Sequence, residues 1–129
     1  MFEGVMFEHR RHVEVLSQAG VTFATAALSG GGVRSPHWPQ MFADGLGMPL
    51  SVAAVRETGA LGAAMASAVG IGLHTDEASA ARAMTRVALK FAPDPAMRAH
   101  YDRRYAVWTR LMQAMDPLWR ELAAGETTP

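Results

Sequence analysis

The chain has 129 residues, half of them hydrophobic, and twelve acidic residues balance twelve basic ones. That length allows one domain at most, and the balanced charge points to neither nucleic acid nor a membrane surface as partner. The absence of cysteine excludes a disulfide framework, a thiolate metal site and a cysteine nucleophile, and it fits a cytoplasmic protein.

In chain order, "MFEGVMFEHRRH" carries acid and histidine too early for a signal peptide. Phe2, Val5, Met6, His9, Val13 and Leu16 recur at helical spacing and predict a helix over about 2–18, with Gly20 as its stop. "VTFATAAL" (21–28) lies between glycines and predicts a buried strand. After the glycines, Ser35 and Pro36 predict an N-cap and first helical residue, and the helix runs to about Leu46 and stops at Gly47.

"PLSVAAV" (49–55) predicts a second strand. From Glu57 a small-residue helix, "TGALGAAMASAVGIGL", reads as buried and fades near Gly70 or Gly72. Its weakly polar run falls short of the roughly 18 apolar residues that a spanning helix needs. Thr75 or Asp76 caps a helix over "DEASAARAMTRVALK" (76–90), and "APDP" breaks the chain. The last helix carries Tyr101, Tyr105, Trp108, Leu111, Met112, Met115, Leu118, Trp119 and Leu122 along roughly one face, with Pro117 within it, and "GETTP" (125–129) reads as a frayed tail. The expected order is α-β-α-β-α-α-α, with two parallel strands joined right-handedly. Two strands make a thin core for a parallel sheet, so a larger sheet or a second copy is expected to complete it.

"LSGGGVRSPHWPQ" (28–40) is the candidate site. A strand, a glycine turn and a helix start favour an anion, because N–H groups point out of the first helical turn and a Cβ would hold a phosphate away. The triplet is neither GxGxxG nor a Walker A motif. By itself, a tight corner explains it equally well.

Further residues follow in a fixed order. After the glycines come Arg34-Ser35, Trp38, Gln40, Ala43-Asp44 and Gly47, then Glu57 and Ala60-Leu61-Gly62-Ala63-Ala64. This ordered set resembles the C-terminal domain of the FGGY family of carbohydrate kinases. The Glu3-Gly4-Val5 start and the Val55, Glu57-Thr58-Gly59, Gly62-Ala63-Ala64 run are similar to the L-xylulose kinase-like branch.

The resemblance implies a partial ribonuclease H-like (actin-like ATPase) domain of α/β class. Residues 1–124 would be the C-terminal part of the nucleotide-side domain. Gly30, Gly31 and Gly32 would line ATP, with Ser35 near the purine or ribose, and Mg²⁺ would bridge the phosphates. Gly59, Ala60, Gly62, Ala63 and Ala64 would let their helix pack closely on the sheet.

A complete family member is several times longer. Its sugar-binding domain, early phosphate hairpin and general-base aspartate find no match here. The reading is therefore a C-terminal, ATP-side fragment of an ATP-dependent kinase acting on a ketose, with a pentulose expected. The fragment is expected to be inactive alone, and no residue is assigned as catalytic. The alternative is a stand-alone self-associating α/β module that binds no nucleotide.

Other candidates read as structural. His9 and His12 share a helix face but lack a third metal ligand. His37 and His74 fall near helix starts, and His100 precedes the aromatic stripe. Asp44 reads as a structural hydrogen-bond acceptor, Arg34 as a loop cation or phosphate contact, and Glu57 as dipole compensation. Balanced charge argues against the Tyr/Trp/Met stripe as a nucleic-acid platform and for a buried face or an oligomer contact.

Overall fold

The computed structural model describes residues 2–55 and 57–125. Helix α1 spans Phe2–Gln18, strand β1 Ala26–Leu28, α2 His37–Leu46, β2 Leu50–Ala53, α3 Thr58–Gly70, α4 Glu77–Met84, β3 Val87–Phe91 and α5 Arg98–Gly125. Single 3₁₀ turns at Gly31–Arg34 and Pro95–Met97 lead into α2 and α5.

The helix ends follow from local chemistry. Gly20 (φ 90°) and Gly47 (φ 70°) take the left-handed conformation that ends α1 and α2. The Asp76 carboxylate accepts the Ser79 N–H at 2.6 Å, and the Ser79 hydroxyl accepts the Asp76 N–H, closing a capping box that starts α4.

The sheet is mixed rather than wholly parallel, which corrects the expected order. β1 and β2 are parallel, with Ala26 opposite Leu50 and Leu28 opposite Val52, and β3 adds antiparallel to β2. The segment expected to be one helix over 76–90 divides at Thr85, which is extended (φ −104°, ψ 148°). Val87, Leu89 and Phe91 then alternate as a strand, and the Ala54 N–H donates to the Arg86 carbonyl at 2.8 Å. β1 is also shorter than expected. Only three residues of 21–28 pair, because β2 offers only four.

The core lies between one sheet face and helices α1, α2 and α5. It consists of Met6, Phe7, Phe42, Ala43, Leu50, Val52 and Tyr101. By register, Ala27, Ser51 and Lys90 share the opposite face, and none of them belongs to this core. Gly45 lets α1 approach α2, since a Cβ there would collide with the buried Met6 side chain.

Helices α1 and α5 are joined by a polar network. Arg10 Nη2 lies 2.8 Å from Asp102, and the Arg10 guanidinium sits over the Tyr105 ring, 4.3 Å from its centroid. The Tyr105 hydroxyl donates to Glu14 at 2.7 Å. Burial, and then the Glu14 carboxylate, push the Tyr105 phenol up to about 12. Arg104 Nε donates to Glu3 at 2.9 Å. Phe7, Tyr105 and Trp108 pack together beneath this network, the last two stacked at 5.8 Å.

Much apolar surface stays exposed. Helix α3, expected to be buried against the sheet, is covered mainly by α4 and buries only Ala68. A Cβ at Gly59 or Gly62 would meet nothing within 4 Å, so these small residues make no close approach here. A helix that is small and apolar all round is suited to enclosure on every side, and here one neighbour, α4, supplies most of its cover. The accessible surface is 9131 Å², about 2,500 Å² more than the roughly 6,700 Å² typical of a compact monomer of this mass.

Candidate functional site

Two parallel strands in register deliver their carboxyl ends to one rim of the sheet. β1 leaves Leu28 for the glycine turn, and β2 leaves Ala53 for the start of α3. Ligands of open α/β sheets bind at this rim, where loops diverge and helix N-termini gather. Gly30, Gly32 and Ser35 are exposed there.

Two glycines have local structural reasons. Gly30 adopts φ 94°, ψ −167°, a region essentially restricted to glycine. A Cβ on Gly32 would fall 2.7 Å from Trp38 Nε1, so the turn lies directly on the indole. Trp38 packs in turn on Phe42, with ring centroids 5.4 Å apart. Gly31 begins the 3₁₀ turn. The turn is closed by the Val33 N–H on the Gly30 carbonyl and the Ser35 N–H on the Gly32 carbonyl, both at 3.4 Å.

Ser35 departs from the expected N-cap role. It is extended (φ −97°, ψ 126°), as a residue before proline must be. Its carbonyl accepts the Trp38 N–H at 3.3 Å, but no side-chain hydrogen bond caps α2. The exposed hydroxyl therefore stays at the rim. The side chain of Arg34 lies outside the described residues. Glu57 is the residue before α3, and its carbonyl accepts the Leu61 N–H at 3.0 Å.

Asp44 faces away from solvent, 6% exposed. Its Oδ1 accepts the Asp94 backbone N–H at 2.7 Å and Gln40 Nε2 at 2.8 Å, and the same Gln40 nitrogen donates to the Ala92 carbonyl at 2.9 Å. The pair thus fastens α2 to the 92–94 bend. Tyr101 lies nearby, its phenol pushed up by burial and then by the Asp44 charge.

The histidines are likewise engaged locally. His9 Nδ1 is 2.8 Å from the Val5 carbonyl and its ring meets Phe42 edge-on, His12 lies 3.4 Å from Glu8, and His100 meets Tyr101 edge-on. His37 is exposed and His74 half-buried.

The model for the FGGY family of carbohydrate kinases, C-terminal domain, matches residues 1–71, from α1 through α3 and including the whole glycine rim. The chain belongs to the FGGY family of carbohydrate kinases. It is 30% identical over 115 residues to the L-xylulose/3-keto-L-gulonate kinase of Escherichia coli (strain K12), covering 89% of this chain and 23% of that enzyme. It is 36% identical over 90 residues to the autoinducer-2 kinase of Enterobacter sp. (strain 638), covering 70% of this chain and 17% of that one. The crystal structure of xylulose kinase from Rhodospirillum rubrum superposes with a TM-score of 0.71 at 32% identity, over 92% of this chain and 24% of that one. The chain thus spans about a quarter or less of the FGGY kinases it matches.

In this FGGY chain the glycines are legible in the sequence, while the indole's place beneath them is not. Trp38 was visible as a member of the ordered motif. Its function as the floor of the turn depends on the contact with Gly32. No helix among the described residues is long and apolar enough to cross a membrane.

Proposed function

We propose that this chain is the C-terminal, ATP-side part of a cytoplasmic kinase that transfers the γ-phosphoryl group of Mg·ATP to a hydroxyl of a ketose, a pentulose such as xylulose. The observation that carries this reading is the position of the glycine turn. It lies on the rim at the carboxyl ends of two parallel strands, inside the segment matched by the family. On this reading the domain is part of a ribonuclease H-like fold.

The residues present fit a nucleotide phosphate. A Cβ on Gly30 would occupy open space, so with glycine there the backbone is open to a phosphate oxygen. Gly30, Gly31 and Gly32 then line ATP, and the Ser35 hydroxyl reaches the purine or ribose side. Two helix starts add favourable dipoles. For Mg²⁺ the fit is poorer. No three His, Cys, Asp or Glu side chains converge among the described residues, and Asp44 is committed to Asp94 and Gln40. Mg²⁺ would therefore arrive on the phosphates. The sugar and its general base belong to chain beyond this segment.

A chimera tests the proposal. Exchanging the matching segment of the E. coli kinase for this chain should preserve phosphorylation of L-xylulose, while the chain alone should give none. In the chimera, Gly30→Val should raise KM for ATP by about tenfold or more, with little change in KM for the sugar, because a small misplacement at the rim is costly. A folded but inactive chimera, or robust phosphorylation by the chain alone, would contradict the reading.

A further inference from the structure

Two glycines of the rim are required for different reasons. Gly30 is fixed by its own backbone at φ 94°, and a Cβ on it would meet nothing within 4 Å. Gly32 has no positive φ. A Cβ on it would instead fall 2.7, 3.0 and 3.1 Å from Nε1, Cδ1 and Cε2 of Trp38. The indole has little freedom to swing aside. Its ring packs on the buried Phe42 at the edge of the core, and its backbone N–H donates to the Ser35 carbonyl at 3.3 Å. Close-packed groups pass such a displacement on rather than absorb it.

We propose that Trp38 is a positioning residue for the nucleotide. Its pyrrole edge sets the height of the glycine turn at the rim, and the indole, rather than a phosphate, is what keeps position 32 a glycine. The turn's own bonds hold it loosely. The Val33 N–H to the Gly30 carbonyl and the Ser35 N–H to the Gly32 carbonyl both measure 3.4 Å, against about 2.9–3.0 Å for an ordinary N–H···O bond. The rigid stop therefore comes from below. Because Ser35 bonds to Gly32, the indole that seats Gly32 also seats the exposed Ser35. Trp38 acts through Gly32. Its effect on nucleotide rests on the nucleotide reading given above, whereas the coupling of positions 32 and 38 does not.

Urea unfolding of the 129-residue chain reads the coupling. Gly32→Ala should lower the midpoint by about 0.5 M or more, and in a Trp38→Leu background by less than about 0.1 M. Gly30→Ala, strained by its own angle, should lower it equally in both backgrounds. The chimera with the E. coli kinase reads the positioning. There Trp38→Leu should raise KM for ATP about fivefold and leave kcat and the sugar KM within about twofold, the mark of a lost binding contact. Trp38→Phe keeps an aromatic ring on Phe42 without the pyrrole edge, and should move both readouts the same way by less. A Trp38 that only supports the fold would lower stability and leave KM unmoved. Equal cost of Gly32→Ala in both backgrounds would overturn the proposal. So would an unchanged KM for ATP in Trp38→Leu and Trp38→Phe where Gly30→Val raises it. If Gly30→Val leaves that KM unmoved as well, the nucleotide reading itself fails, and the positioning role fails with it.

Discussion

Phe42→Ala is expected to cost about 3–5 kcal/mol, the range for emptying a buried phenylalanine site, and to leave little cooperative folding at 25 °C. Phe42 is 2% exposed and lies at the centre of a seven-residue core. It touches Trp38, which floors the glycine turn, and His9 of α1. The helices around it are fixed by other contacts, so the cavity would close poorly. A domain of this size has only about 5–15 kcal/mol to lose, and the large accessible surface places this one toward the lower end. In urea the midpoint should fall by about 2 M for a slope near 2 kcal/mol/M. A shift of a few tenths molar would show that the core lies elsewhere.

Asp44→Ala is expected to cost about 1–2 kcal/mol, because it leaves the part-buried Asp94 N–H without its acceptor and removes one of the two acceptors of Gln40 Nε2, which keeps the Ala92 carbonyl. The Asp94 N–H and Gln40 Nε2 both converge on Oδ1, and the bend they hold leads into α5. Native-state hydrogen exchange should report the loss first at the Asp94 amide. Asp44→Asn retains an acceptor oxygen and should cost roughly half as much or less. If Ala and Asn proved equally mild and Asp94 remained protected, the bend would be held by something other than this carboxylate.

Legibility in the sequence followed locality. Gly20, Gly47 and Asp76 mark helix ends by their own chemistry, and the structure uses all three there. The third strand escaped because Val87 to Phe91 alternates for only five residues directly behind an alanine-rich helix. Its partner, β2, lies more than thirty positions upstream. The first strand was over-read for the converse reason: Val21 and Phe23 have strand character, but a strand exists only where a partner pairs with it. Composition made α3 look buried, while burial depends on what surrounds it.

At the site, the glycines and Ser35 were visible as types in order. The left-handed Gly30, the indole beneath Gly32 and the extended Ser35 are conformational facts. The bond from Tyr105 to Glu14 joins residues 91 positions apart, and no local pattern announces it.

The measurement that bears most directly on the central claim is an amide NMR titration of the isotope-labelled chain with Mg·ATP. Shifts concentrated at Gly30 to Ser35, with smaller ones at the start of α3, are expected at millimolar nucleotide. Binding this weak corresponds to about 4 kcal/mol, as suits half a cleft without its other wall. A folded chain whose rim amides do not move under those conditions, or whose shifts lie only elsewhere, would contradict the account and leave the glycines as a corner over Trp38.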